Sequence, residues 1–194
     1  MQLSPTTGWP RNVAARVINN RFPQGRKGSI PIVAVTGTNG KTTTTRLIAH
    51  IAKQEGYKVG YTTSDGVYIQ NRLLMKGDCT GPKSTEFVLK DPTVNFAVLE
   101  CARGGLLRSG LAFRQCDVGI VTNVSEDHLG LKGIHTLEQL AKVKGVIPET
   151  VSVNGYSILN ADDNLVYEMR KNVVSKVALF SMDENNPRIK QMQQ

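Results

Sequence analysis

The sequence predicts an α/β domain of three layers, a mostly parallel sheet between helices. Three observations carry this. Strand-length apolar runs rich in Val and Ile recur along the chain, and stretches with helical spacing alternate with them. The first run, Ile30–Thr36, leads through a glycine-bearing hexapeptide straight into the first helix. The 194 residues suit one domain, at 40% apolar and 21% charged. That balance excludes a disordered chain. No stretch reaches the roughly 20 apolar residues of a membrane span. Met1–Pro5 has no basic patch before an apolar run, so no secretory signal is read there.

Taken in order, residues 1–28 hold Pro5, Pro10 and Pro23 and no strand-like run. They read as a lead-in with a short helix over Arg11–Arg21. The domain proper reads as 29–182. Ile30–Thr36 is β-branched with almost no polar break, as in a buried parallel strand. Thr42–Glu55 places Leu47, Ile48, Ile51 and Ala52 at helical spacing, and Gly56 stops it. Val59–Thr62 is the next strand. Val67–Ile69 and Arg72–Met75 flank Gln70-Asn71 as a small hairpin. Asn95–Glu100, Asp117–Thr122, Ser157–Asn160 and Lys176–Phe180 follow as strands. Ser84–Lys90, Thr136–Val146 and Asp163–Lys171 read as helices. Residues 183–194 are polar and read as a frayed end.

The charge is 24 basic against 16 acidic residues, or +8. The basic residues scatter and aromatics are 6%, so dedicated nucleic-acid binding is not expected. Cys79, Cys101 and Cys116 are odd in number and lack CxxC spacing, which fits a reducing cytoplasm.

The sharpest motif is Gly37-Thr38-Asn39-Gly40-Lys41-Thr42, after a strand and opening a helix. Glycines let backbone N–H groups turn inward, and the helix N-terminus adds donors and a positive dipole end. Lys41 supplies a point charge for phosphates, and the Thr42 hydroxyl suits Mg²⁺. Counting back five residues from Gly40 reaches Val35, so the loop is a shorter GxxGKT form. The bland reading, a glycine-rich turn that happens to precede a lysine, suits this context poorly. Glu100 ends one buried strand, and Asn123, Asp127 and His128 follow another, at the sheet edge where α/β domains bind ligands. Taken alone, each reads as an ordinary cap or loop residue; together they read as ligands.

Gly37–Thr43 and the Thr122-Asn123-x-x-x-Asp127-His128-Leu129 block resemble the Mur ligase family and its folylpolyglutamate synthetases. Thr36–Thr45, Gly60–Val67, Thr80–Pro82, Leu99–Gly105 and Asn160–Asp163 are similar to one polymer-forming branch of that family, as is the lead-in. The resemblance implies the P-loop-type fold of the Mur central domain, with ATP and Mg²⁺. It implies activation of an aspartate β-carboxylate as an acyl phosphate, to which arginine is joined on a growing aspartate polymer. Gly37, Thr38, Asn39, Gly40, Lys41, Thr42 and Thr43 would bind the nucleotide, Lys41 at the transferring phosphoryl group. Thr42 and Glu100 would hold a first Mg²⁺, and His128 would help hold a second. Asn123 would lie near adenine and Thr80 near substrate. Lys144 matches a lysine the family often carries carbamylated, whereas Lys142 reads as a solvated helix lysine. The family's C-terminal domain and the branch's ATP-grasp part are not in these residues, so this chain is expected to be inactive alone. An oligomer of identical chains is compatible with the resemblance. The competing readings are a stand-alone nucleotide-binding module and a peptidoglycan or folate ligase.

Overall fold

Strand β1 (Ile32–Thr36) is buried along its whole length and lies at the centre of an eight-stranded sheet. The computed structural model describes residues 30–126 and 133–192. The lead-in read over 1–28, and Asp127 and His128, lie outside them. Within the unit Pro31–Gln194, the chain continues through helix α1 (Lys41–Gln54), β2 (Val59–Thr63), β3 (Gly66–Ile69), β4 (Arg72–Lys76) and α2 (Pro82–Lys90). Then come β5 (Phe96–Glu100), α3 (Arg103–Ser109), β6 (Cys116–Val121), α4 (Leu137–Glu149) and β7 (Val151–Asn160). The last elements are α5 (Asn164–Glu168), which runs into a 3₁₀ turn at Met169–Asn172, β8 (Lys176–Phe180) and α6 (Pro187–Met192).

The strand order is β4-β3-β2-β5-β1-β6-β7-β8. The six strands from β2 to β8 are parallel, and β3 and β4 extend the sheet antiparallel. Successive strand residues face opposite sides of a sheet. On β6, Ile120 joins a cluster with Val33, Val35, Val98 and the α1 residues Ala49 and Ala52. Its neighbour Val121 joins a cluster with Leu140 and Ala141 of α4, Leu159 and Val166. Helices therefore cover both faces, as expected from the uninterrupted apolar strands. Each fully buried Val or Leu contributes about 1.5–3 kcal/mol.

The hairpin turns at Gln70 and Asn71, both at positive φ (48° and 68°), which matches the twist of the flanking strands. Three elements differ from the sequence expectation. Strand β7 starts at Val151, six residues early, because Gly155 lets the backbone press against Asp117 (a Cβ there would sit 2.2 Å from the Asp117 carbonyl) where the register with β6 shifts. Helix α3 was not anticipated, since Gly104 and Gly105 lower its helix propensity. Gly105 is needed there because a Cβ would lie 2.9 Å from the Thr80 carbonyl. The end expected to fray instead carries α6, tied down where Arg188 donates to Ala161 O at 2.7 Å and to Asn164 Oδ1 at 2.5 Å.

Candidate active site

In a parallel sheet the C-terminal ends of neighbouring strands share one edge. β1 lies between β5 and β6, so Thr36, Glu100 and Thr122 bring their loops together. The chain winds outward in opposite directions from this point, which is where open α/β sheets bind ligands.

The Gly37–Gly40 loop is clamped by the segment after β6. Thr38 N–H donates to Asn123 O at 2.9 Å, and Asn39 N–H to Asn123 Oδ1 at 2.9 Å. The Asn123 amide returns a bond to Asn39 O at 3.2 Å, and Thr122 Oγ donates to the same oxygen at 2.7 Å. Ser125 N–H donates to Thr38 Oγ at 3.0 Å. Gly37 is required at this contact: with φ at 150°, a Cβ would lie 1.8 Å from Thr122 Oγ. Gly40 caps α1 in the left-handed region at φ 82°. The first N–H groups of α1, those of Lys41, Thr42 and Thr43, have no partner within the helix. The Thr43 side chain is exposed, so its backbone is what it offers the site.

Lys41 Nζ donates to Thr38 O at 2.7 Å, which holds the ammonium at the loop. Thr42 Oγ donates to Glu100 Oε2 at 2.8 Å. Ser64, after β2, completes this group. Its N–H donates to Glu100 Oε2 at 3.2 Å and its hydroxyl lies 3.1 Å from Thr42 Oγ. Glu100 is 1% exposed, and burial raises its pKa above the ordinary carboxylate range. The Thr42 bond, Lys41 and the Ser64 N–H oppose that shift, and the nearby charge of Asp78 adds to it. A buried carboxylate of this kind favours a cation beside it. Oxygen donors from Thr42, Ser64 and Glu100 fit a hard cation such as Mg²⁺.

Lys144 lies on the buried face of α4 with Leu140 and Ile147, while Lys142 is exposed. A capping box of Thr136 and Gln139 starts this helix. Lys144 Nζ donates to Gly37 O at 2.7 Å, bridging 107 residues of sequence. It shares a cavity of about 170 Å³ with Lys41, Thr38, Arg103 and Leu140. On the other side of the loop, a cleft of about 560 Å³ is lined by Asn39, Thr44, Asn123, Ile158, Asn160 and Phe180 among others.

The structure does not bring every expected residue to the cavity. Thr80 is buried, with its N–H and hydroxyl both on Asp78 Oδ1 at 3.2 and 2.6 Å, and it lines a separate narrow crevice. His50 and His135 are exposed. Ser64, Thr122, Arg103 and Asp163 were missed. Asp163 accepts from Leu165 N and Val166 N to cap α5, and reaches Val124 N at 2.6 Å, holding the clamp segment. Its place in Asn160–Asp163 was visible, but the partner was not.

A model of the Mur ligase middle domain matches residues 35–194. The chain belongs to the Mur ligase family. It is 62% identical over 187 residues to cyanophycin synthetase of Geminocystis herdmanii and 59% to that of Synechocystis, in each case across 96% of this chain. That is the branch whose blocks the sequence resembles. The chain spans 21% of the length of these curated relatives. The UDP-N-acetylmuramoyl-L-alanyl-D-glutamate–2,6-diaminopimelate ligase of Clostridium tetani is 30% identical over 87% of this chain and 35% of its own. Among solved structures, a ligase of that same name superposes with a TM-score of 0.68 at 25% identity, over 88% of this chain and 35% of that one. E. coli FolC in complex with DHPP and ADP shares the fold, with a TM-score of 0.55 at 20% identity over 86% and 45%. By name, these relatives are synthetases and ligases. No helix among the described residues is long and apolar enough to cross a membrane.

Proposed function

We propose that this chain is the ATP-binding domain of an amide-forming ligase of the cyanophycin synthetase kind. It would activate an aspartate β-carboxylate as an acyl phosphate, to which arginine is then joined. The observation that carries this reading is that Lys41 and Lys144 line one phosphate-sized cavity at the glycine loop, while the next loop residue, Thr42, bonds the buried Glu100. In that reaction a carboxylate oxygen forms a bond to the γ-phosphorus as the bond to ADP breaks. The amine nitrogen then bonds to the acyl carbon, phosphate leaves, and the nitrogen gives up a proton.

The chain's own residues serve the first step. The α1 N-terminus and Lys41 receive phosphate oxygens in a preorganised frame, so little reorganisation is needed as charge moves. Lys144 holds the Gly37 carbonyl and so fixes the start of the loop. Thr42, Ser64 and Glu100 would hold Mg²⁺, which offsets the repulsion between the phosphates and the carboxylate. The larger cleft suits a nucleoside in volume. Asn123 lines it, yet both ends of its amide are engaged with Asn39, so it would shape this cleft through the loop. Lys144 in carbamylated form and His128 would complete a second metal site.

The test is calorimetric titration of Mg²⁺-ADP into the chain and into Lys41→Ala. The reading expects binding that the variant weakens at least about tenfold, as for loss of charge-assisted bonds. A folded Lys41→Ala chain that binds as tightly as the parent overturns it.

A further inference from the structure

We propose that Asp163 is a positioning residue for the phosphate loop, holding it in place for nucleotide through the segment after β6; this rests on the nucleotide-binding reading above. Asp163 lines neither cavity beside the loop. Its carboxylate spans two elements instead. Oδ1 accepts from Leu165 N and Val166 N at 2.9 and 3.1 Å, at the start of α5. Oδ2 accepts from Val124 N at 2.6 Å, 39 residues earlier in the chain. Bonds from N–H groups to an ionised carboxylate are about twice as strong as neutral ones.

Val124 is the point at which the clamp is held. Its two neighbours bond the loop: Asn123 accepts from the Thr38 and Asn39 N–H groups, and Ser125 N–H donates to Thr38 Oγ. These bonds fix the loop only as firmly as the clamp segment is itself fixed. Residues 122–125 are neither helix nor strand, so their anchorage comes from elsewhere. One end is secured at Thr122, whose N–H donates to Thr36 O at 3.0 Å and whose carbonyl accepts from Asn160 Nδ2 at 2.8 Å. Asp163 secures the middle. The Val124 side chain is 7% exposed and packs in one cluster with Val166 of α5. A single carboxylate therefore bonds the backbones of two residues whose side chains share a cluster.

The adjacent carboxylate serves a different segment. Asp162 accepts from Ser181 Oγ, Met182 N and Asn186 Nδ2 at 2.5, 2.8 and 2.8 Å, all between β8 and α6. None of these bonds involves the loop or its clamp. Two neighbouring aspartates thus divide two tasks, Asp163 the nucleotide loop and Asp162 the chain after β8. The sign of the effect also separates positioning from charge. A carboxylate near the site repels an anionic nucleotide, so removing its charge alone would tighten binding. Loss of positioning weakens it.

The experiment compares Asp163→Ser and Asp162→Ala with the parent chain. Serine caps a helix as well as aspartate does, so it keeps an acceptor for the start of α5. Its single, shorter oxygen cannot also serve Val124 N. Calorimetric titration with Mg²⁺-ADP is expected to show at least about a fivefold loss of affinity for Asp163→Ser. Asp162→Ala gives up three bonds, so its melting temperature is expected to fall at least as far, with affinity within about twofold of the parent. Hydrogen exchange without nucleotide gives a second reading. The Thr38, Asn39 and Val124 amides are expected to exchange at least about tenfold faster in Asp163→Ser and at the parent rate in Asp162→Ala. Circular dichroism confirms that each variant is folded. Asp163→Asn, with one acceptor oxygen for three N–H groups, is the second variant should serine prevent folding, and is expected to weaken binding in the same sense. Asp163→Ser affinity equal to or tighter than the parent's overturns the proposal. An equal loss in Asp162→Ala overturns it too, because the loss would then follow stability and not the loop. A parent chain that binds no Mg²⁺-ADP overturns the nucleotide reading above, and the exchange rates still decide this one: unchanged Thr38 and Asn39 amides overturn it.

Discussion

Replacing Gly37 with alanine tests whether the contact between the phosphate loop and the segment after β6 is as tight as the geometry requires. A Cβ at this position would fall 1.8 Å from Thr122 Oγ and 3.0 Å from Thr122 Cβ. Thr122 cannot swing aside without cost, because its hydroxyl donates to Asn39 O at 2.7 Å and to Thr36 O at 3.3 Å. Giving up these bonds costs about 1–2 kcal/mol. Holding a side chain in the disfavoured backbone region at φ 150° costs about 1–3 kcal/mol more. Gly37→Ala is therefore expected to lose roughly 3 kcal/mol of stability or more. Gly40 is the internal control. It has φ 82°, but nothing lies within 4 Å of the Cβ position. Gly40→Ala is expected to lose only the backbone cost, about 1–2 kcal/mol. Urea unfolding followed by far-ultraviolet circular dichroism, without nucleotide, measures both. Equal losses for the two variants would refute the steric argument. So would a Gly37→Ala chain within about 0.5 kcal/mol of wild type, the range of an ordinary surface substitution.

Three further outcomes follow from two buried polar groups. Burial raises the Glu100 pKa, so the folded state holds that proton more tightly than the unfolded chain does. Its contribution to stability is present below the unfolded carboxylate pKa and is lost as pH rises through the raised one. Glu100→Gln should remove this fall, and thermal melts across the acidic range check it; a variant whose pH dependence matches wild type contradicts the assignment. Mg²⁺ should raise the wild-type melting temperature at neutral pH and leave Glu100→Gln unmoved. Thr62 is fully buried, and its hydroxyl has no hydrogen-bond partner among the described residues. An unpaired buried hydroxyl costs about 1–3 kcal/mol, so Thr62→Val should raise the melting temperature by about 2–4 °C for each kcal/mol recovered. A lower melting temperature would mean that the hydroxyl has a use the structure does not display.

The parts of this protein legible in its sequence are those set by neighbours along the chain. The Val- and Ile-rich runs of β1, β5 and β6 declare buried parallel strands because nothing polar interrupts them. Gly37 to Thr42 declares a phosphate loop because strand, glycine, lysine and helix follow within a few residues. Gln70-Asn71 declares its turn, and Lys176–Phe180 its strand. The family resemblance, rather than a local pattern, singled out Lys144 over Lys142, and the structure places Lys144 on a buried helical face with Leu140 and Ile147.

What the tertiary structure decided are the contacts whose partners are distant in sequence. The strand order brings Thr122 and Asn123 onto a loop more than 80 residues earlier, and no local signal announces that clamp. Ser64 joins Glu100 only because β2 and β5 are neighbours in the sheet. α3 forms despite two glycines because Gly105 must pack against Thr80, and β7 runs on through Gly155 because the chain must pass close to Asp117. In each case a small residue that looks like a break in the sequence is the one that permits close approach. Backbone proximity across the sheet, set by register and burial, overrides local propensity at these points. Asp163 shows the same division. Its place in Asn160–Asp163 could be read from the chain, but its bond to Val124 exists only once the sheet has folded.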